Sequence, residues 1–225
     1  MTHLVQTRFA VQSPLTERPV GQHPALSPEW VERRFQLLRF TQASLNAQSC
    51  QDFRWIIYVH PGFAQLDRLW AFDTKIEVVE DNDGGVPAVR EGWLITTRLD
   101  SDDALHPSAI ALLQQYLDAS NKPDVFTVEL SHGHVVDFAT CEAYAHSTNM
   151  FLTRYEKTDR RGVLAFSHHR YEEEGGGPIA HYVAHCRWLI GAHECNVMNG
   201  VKSGMCRVQR EAIRAQYPWL GAICG

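Results

Sequence analysis

Three carboxylates stand within four residues at Asp100-Ser101-Asp102-Asp103, directly after the apolar, β-branched run Trp93-Leu94-Ile95-Thr96-Thr97-Arg98-Leu99. Carboxylates this close repel one another unless a cation or a proton lies between them, and hard oxygen donors on a short turn suit Mg²⁺ or Mn²⁺. The run before them predicts a buried strand of an α/β sheet, which puts the acids at its carboxyl end, where open α/β sheets hold their ligands. Arg98 precedes Asp100 by two positions, so on a strand both side chains share a face. There the arginine offsets the repulsion, contacts an anionic ligand, or does both.

Other phosphate and cation devices are excluded by spacing. A calcium loop starting at Asp100 would carry Leu105 in place of its glycine and end at Ala111 instead of a bidentate glutamate, while one built on Asp81-Asn82-Asp83-Gly84 would need its first ligand at Val79. Neither GxxxxGK[ST] nor GxGxxG occurs, so no glycine-rich loop cradles a phosphate. The 12 histidines offer an alternative. His181 and His185, four apart on an expected helix, with Cys186, His193, Cys195 and Cys206 nearby, could assemble a zinc site. The segment His181-Tyr182-Val183-Ala184-His185 lacks the glutamate of the zinc hydrolases, however. His168 and His169 follow an apolar stretch, Val163 to Phe166, expected as a strand, and could reach a diphosphate or metal at a sheet end.

The elements that must position these groups alternate. His3 to Val11 reads as a first strand, and Ser27-Pro28 starts a helix that keeps Val31, Phe35, Leu38 and Leu45 on one stripe to about Gln48. Phe53 to Val59 is a second strand, Gln65 to Phe72 a short helix, Lys75 to Glu80 a third strand, and Asp81 to Gly85 a turn-rich loop. The strand carrying the acids comes fourth. Pro107 opens another helix with Ile110, Leu113 and Leu117 on one side, and Asp124–Leu130 and His134–Thr140 read as two strands joined by the tight turn Ser131-His132-Gly133. Glu172 to Gly177 is a surface loop by composition, or a lid. The order predicts an α/β domain, with residues 1–130 as a nucleotide-binding half and 131–225 as a half for a second substrate.

At 225 residues and 44% hydrophobic content the chain has the material for one domain with a substantial core, and its net charge of -5 gives no basic field for nucleic acid. An anionic substrate must then be held by local arginines or a metal. Six cysteines without a CxxC pair, and no leader-like start, predict reduced thiols and a cytoplasmic location. No run is long enough to span a bilayer, which leaves peripheral association with a membrane compatible.

A DxD motif at a strand end, with α/β order and no phosphate loop, resembles glycosyltransferases of the GT-A class. The likeness extends through Thr7-Arg8-Phe9, Trp30 with Arg33 and Phe35, Ser44 and Gln48, Phe53-Arg54-Trp55, Thr96-Thr97-Arg98-Leu99-Asp100-Ser101-Asp102-Asp103, Asn149 to Thr153 with Glu156, and Trp188-Leu189 followed by His193 and Asn196. Together and in this order they resemble the rhamnosyltransferase family of that class; the segment Gly191 to Asn196 departs from the family pattern by lacking a glycine after the histidine.

The resemblance implies a GT-A-like fold, with a mixed, mostly parallel central sheet flanked by helices. It also implies transfer of a sugar, rhamnose by the family's label, from a nucleotide-diphosphate donor to an acceptor hydroxyl of a glycan, lipid-linked or protein acceptor, with Mn²⁺ or Mg²⁺ as cofactor. Asp102 would be the direct metal ligand, Asp100 a metal ligand through water or a ribose contact, and His193 the third metal ligand. Asp103 would cap the following segment or orient its neighbours. Thr7, Arg8, Phe9, Arg98, Ser101 and His168 would meet the donor, and Glu156, ahead of Asp137 and Glu142, would take the acceptor's proton. Two further readings are a sugar-nucleotide-binding protein without turnover and a scaffold that keeps only the sheet.

Overall fold

In the computed structural model, which describes residues 1–11, 26–73, 75–89, 91–118, 123–146, 151–157, 160–167, 170–182, 188–193 and 205–222, the chain starts as β1 (Thr2–Ala10), buried along nearly its whole length. Its core residues do not alternate with polar ones because both faces are covered, as parallel strands require. The helix α1 (Pro28–Asn46) opens with Ser27 Oγ accepting the Trp30 N–H and Pro28 in the first turn. Then come β2 (Arg54–Val59), α2 (Leu66–Phe72), β3 (Ile76–Glu80) and β4 (Leu94–Arg98). Both β2 and β4 pair with β1 in parallel, and β3 with β2.

The remaining elements are β5 (Asp103–Leu105), α3 (Ala109–Asp118), β6 (Val125–Leu130), β7 (Gly133–Asp137), β8 (Glu142–His146), β9 (Leu152–Glu156), β10 (Ile179–Tyr182), β11 (Trp188–Ala192), β12 (Arg207–Val208) and α4 (Arg210–Gln216), with 3₁₀ turns at Val163–Ala165 and Pro218–Ala222. Among the described residues one sheet has the order β10-β6-β9-β4-β1-β2-β3 and a second the order β12-β8-β7-β11-β5. The first is mixed but mostly parallel: β9 alone runs against its neighbours, β4 and β6. The fold is therefore the α/β architecture that the order of elements predicts. The two sheets do not divide the chain at residue 130, since β5 joins the second and β9 and β10 complete the first.

Side-chain alternation along the central strands separates two cores. Val5, Phe9, Trp55 and Ile57 face Phe35, Leu38 and Leu45 of α1, Leu69 of α2 and Ile110 of α3. Leu4, Ile56, Tyr58 and Leu94 face the other way and are covered by Val163, Leu164, Phe166 and Tyr171. Burying each such side chain contributes about 1.5–3 kcal/mol, so Val163, Leu164, Phe166 and Tyr171 anchor their backbone to this face of the sheet.

Three local expectations are corrected. The strands after Asp124 do not form a hairpin, because β6 belongs to the first sheet and β7 to the second. Trp188 lies at that crossing, its Nε1 donating to the Leu130 carbonyl at 2.6 Å, and a Cβ on Gly133 would lie 2.2 Å from its ring. The antiparallel partner of β7 is β8. Val163–Ala165 is a 3₁₀ turn where a strand was expected, because it lies across the first sheet instead of pairing with it. His181 sits in β10, not on a helix, and its strand pairs with β6; His185, Cys186 and Cys195 lie outside the described residues. The Glu172–Gly177 stretch is a hydrogen-bonded turn. Glu174 accepts from Ser167 N–H, Glu172 from Ile179 N–H, and the Gly176 carbonyl from Arg154. No described helix is long and apolar enough to cross a membrane.

Candidate functional site

β4 ends at Arg98, and the Leu99 N–H still bonds the Gln6 carbonyl of β1 at 3.0 Å before the chain turns. Asp103 N–H closes that turn on the Asp100 carbonyl, and the next three residues become β5, antiparallel to β11. The acids thus occupy the corner where the chain passes from one sheet to the other.

One face of α1 and the residue just past its C-cap run along this corner. Arg34 reaches Ser101 and Asp102, and Thr41 Oγ1 donates to the Asp103 carbonyl at 2.8 Å. Ser44 Oγ accepts from Leu105 N–H, and the Gln48 amide donates to the His106 carbonyl and accepts from Ile110 N–H. Arg34, Thr41 and Ser44 recur at helical spacing on one face of α1, and Gln48, just past its C-cap Ala47, extends the clamp.

Charge in the corner is settled locally. Arg98 grips both oxygens of Asp100 through Nε (3.0 Å) and Nη2 (2.9 Å). Asp102 Oδ2 is met by Arg34 Nη1 at 3.2 Å and by His193 Nε2 at 2.9 Å. Burial alone would raise the Asp102 pKa, but Arg34 and His193 outweigh it and hold the carboxyl well below the usual carboxylate range. Asp103 goes the other way. It is fully buried beside the charges of Asp102 and Asp100, so its carboxyl is raised well above the ordinary range, with the Gly191 N–H at 3.0 Å and the charge of Arg34 opposing. Asp100 and Asp102 each have an arginine, while Asp103 is met by a backbone N–H.

Beside the corner, at the carboxyl ends of β1 and β3, lies an open cleft of about 550 Å³ lined by Arg8, Val11, Asn82 to Gly85 and Leu164 to Ser167. A nucleotide-sized ligand fits that volume. Arg8 spans it, donating to the Leu164 carbonyl at 2.8 Å and the Asp83 carbonyl at 3.5 Å. Its two anchoring walls meet at Gly84, whose φ of +77° and lack of a side chain let it lie against Leu164. Burial, and then the charge of Arg98, lower the Arg8 pKa, while Asp100 opposes them, so cleft and corner share one electrostatic field.

The expected site residues divide. Arg8, Arg98, Asp100, Ser101, Asp102 and His193 meet at the cleft and corner. Thr7 and Phe9, expected to touch a donor, do not: strand alternation turns them to the helix side, where Thr7 Oγ1 accepts from Trp55 Nε1 and Phe9 packs on Phe35 and Phe63. Glu156, expected as the base, pairs with Leu94 at the amino end of β4, about 13 Å along the strand from Arg98 at 3.3 Å per residue. It is fully buried and accepts from Arg154 Nε (2.7 Å), Arg161 N–H (3.1 Å) and Gly162 N–H (2.7 Å). A carboxylate so enclosed anchors a loop and cannot meet an acceptor. Asp137 ends β7 opposite Ala192, one residue before His193, with Oδ1 accepting the Ala139 N–H and the residue half-buried. His168 lies outside the described residues.

Two contributors escaped the sequence reading. Arg34 sits on the core-facing side of α1, four residues before Leu38, a position where a charge needs a buried partner; that spacing was the signal. The Asp81–Gly85 loop, set aside as a failed calcium loop, is a wall of the cleft, its shape fixed by Asp81 accepting from Asp83 and Gly85 N–H.

A divalent ion can be tested against this donor set. Two ligands at right angles on an octahedral ion with bonds of about 2.1 Å lie about 3.0 Å apart. Asp102 Oδ2 and His193 Nε2, 2.9 Å apart, match that spacing. Arg98 holds both oxygens of Asp100, and among the described residues no three His, Cys, Asp or Glu are grouped as a metal site. Such ions take one or two protein ligands and complete their shell with water and substrate phosphates, so the pair fits.

No protein-family model and no curated protein sequence matches the chain. Among solved structures it is similar to Staphylococcus aureus TarS, residues 1–349, with 10% identity over 85% of this chain and 60% of that one and a TM-score of 0.44. A Bacillus anthracis protein described as a glucose-1-phosphate thymidylyltransferase, in complex with a sucrose, matches with 9% identity over 83% and 89% of the two chains and a TM-score of 0.39. A 4-diphosphocytidyl-2C-methyl-D-erythritol synthase matches with 11% identity over 97% and 99% and a TM-score of 0.38. The chain thus spans three-fifths of the TarS fragment.

Proposed function

We propose that this chain is a GT-A-like glycosyltransferase that takes a nucleotide-diphosphate sugar, with Mn²⁺ or Mg²⁺ as cofactor. The observation that carries the reading is a nucleotide-sized cleft lined by Arg8, which is coupled electrostatically to Arg98 and Asp100 of the corner that also holds the Asp102–His193 pair. The base and ribose would lie between Arg8 and the Asp81–Gly85 loop, with the diphosphate at the corner. Asp102 and His193 would hold the ion, which when bound supplies positive charge to the departing diphosphate.

In transfer, the bond from the anomeric carbon to the diphosphate oxygen breaks and a bond to the acceptor oxygen forms. Negative charge grows on the leaving oxygens, and Arg8 and Arg98 are preorganised to meet it, at no reorganisation cost during the reaction. Asp137 replaces Glu156 as the proposed base: its Oδ2 receives the proton of the acceptor hydroxyl. The acceptor enters over the second sheet and is a glycan or lipid-linked glycan hydroxyl; rhamnose as the sugar rests on the family resemblance alone.

A second reading has one observation in its favour. Arg34 and Arg98 already balance Asp102 and Asp100, so the same cleft could bind a sugar nucleotide through arginines without an ion and without turnover. Thermal unfolding with UDP, GDP and dTDP, with and without Mn²⁺, separates the two. A ligand at 100 times its Kd stabilises by about 2.7 kcal/mol. Stabilisation needing both nucleotide and Mn²⁺ supports the transferase reading, and stabilisation indifferent to EDTA supports the second. No stabilisation by any nucleotide overturns both. Metal-dependent hydrolysis of one sugar nucleotide among a panel then identifies the donor.

A further inference from the structure

Among the described residues Arg34 is the one cation of the corner that comes from a helix, and its hold on Asp102 is the loosest of the arginine–carboxylate contacts there. Its Nη1 lies 3.2 Å from Oδ2 and its Nη2 3.4 Å from Oδ1. Arg98 holds Asp100 at 2.9 and 3.0 Å. The Arg34 side chain is only 12% exposed and that of Asp102 9%. Its Nε is buried with no hydrogen-bond partner, an arrangement that costs free energy unless a ligand completes it. Nη2 also donates to Ser101 Oγ, and the guanidinium lies 5.5 Å from the Trp30 ring, so the group has a resting place besides the carboxylate.

Oδ2 of Asp102 serves two donors, Arg34 and His193. It is also the oxygen whose spacing to His193 suits two neighbouring positions on a divalent ion. An ion bound there would displace Arg34 from Oδ2, because a guanidinium 3.2 Å from that oxygen and a metal about 2.1 Å from it would be like charges in contact. The displaced guanidinium stays in the same corner, where a diphosphate would bring oxygens that match its planar donor fork.

We propose that Arg34 is a resident stand-in for the divalent ion: it neutralises Asp102 in the empty site, yields Oδ2 to the ion, and then binds the diphosphate of the donor as a further catalytic residue. This rests on the donor-site reading above and adds a coupling to it. Arg34 opposes the binding of metal alone and favours the binding of nucleotide with metal, so the two ligands are cooperative through one side chain.

The test is direct binding, not turnover. Mn²⁺ alone is titrated by electron paramagnetic resonance, and UDP, GDP and dTDP by calorimetry at saturating Mn²⁺, on the wild type, Arg34→Gln and Arg34→Lys, with circular dichroism confirming the fold. Arg34→Gln is expected to bind Mn²⁺ alone about tenfold more tightly and the nucleotide about tenfold more weakly, in the usual range of such coupling. Arg34→Lys, which keeps the charge without the fork, is expected to sit between them on both scales. Should Arg34→Gln not fold, the lysine variant alone carries the test through the same opposed shifts. Two variants that lose stability but keep both affinities, or that weaken both together, overturn the proposal and leave Arg34 a structural anchor. A wild type that binds neither probe overturns the donor-site reading instead, which is a different result.

Discussion

His193 Nε2 donates to Asp102 Oδ2 at 2.9 Å, across 91 residues of sequence. Two features create the contact. β5 follows the acids at once and pairs with β11, which ends just before His193. Gly191, between them, has no side chain; a Cβ there would lie 2.3 Å from the Asp102 carbonyl oxygen and 2.6 Å from the Phe138 ring. The histidine is then steadied by Phe138, whose ring lies nearly parallel to it with centroids 6.3 Å apart.

Gly191→Ala is therefore expected to separate the pair. The first contact is with backbone, which cannot rotate away, so the β5–β11 ladder must shift. Overpacking of this kind costs about 1–3 kcal/mol. Urea unfolding should register that loss, and calorimetry should register a weaker Mn²⁺–nucleotide complex in the folded fraction.

Asp102→Asn keeps the size of the side chain but removes the charge that Arg34 and His193 share. The Mn²⁺-dependent part of any nucleotide stabilisation should vanish, and sugar transfer or donor hydrolysis should fall by about 10²-fold or more, the scale on which single electrostatic groups act. A variant that retained a metal-dependent shift would remove Asp102 from the site.

Glu156→Gln tests the opposite role. Its carboxylate is the buried partner of Arg154, which also bonds Tyr171 and the Gly176 carbonyl. Breaking a buried pair typically costs about 3–5 kcal/mol. Chemical denaturation should show that loss, while activity per folded molecule should drop far less than the roughly 10²–10⁴-fold expected on removing a general base.

Acid stability should follow His3. Burial holds its imidazole down to about 3, below the ordinary 6.5, with Nε2 against Thr97 Oγ1 at 2.9 Å. A depressed folded pKa means the unfolded chain takes up the proton first. The stability is complete above pH 6.5 and is lost as pH falls toward the folded value, by about 1.4 kcal/mol per pH unit per proton. His134, lowered to about 4 by burial, acts in the same direction. His3→Gln should flatten the loss between pH 6.5 and 4 in urea titrations, with little change at pH 8.

The residues that were legible in sequence are those whose chemistry is local. β1, α1, β2, β3 and β4 read correctly because apolar period, a serine cap and turn residues act over a few positions, and the acid cluster because three carboxylates in four residues need compensation anywhere. Strand partners were not legible. β6 and β7 have the pattern of a hairpin, yet Trp188, 55 residues beyond Gly133, decides that they part. Thr7, Arg8 and Phe9 look alike as neighbours of a strand end, and which one faces the cleft followed only from which side α1 covers.

The sequence by itself determined that a mostly parallel α/β sheet ends one strand in a charged corner, because periodicity and like-charge repulsion are properties of short segments. Tertiary structure decided what compensates that corner. Arg98 at the end of β4, Arg34 from α1 and His193 just after β11 divide the work, and burial, distance and the competition of two donors for one oxygen exist only once distant segments are packed together.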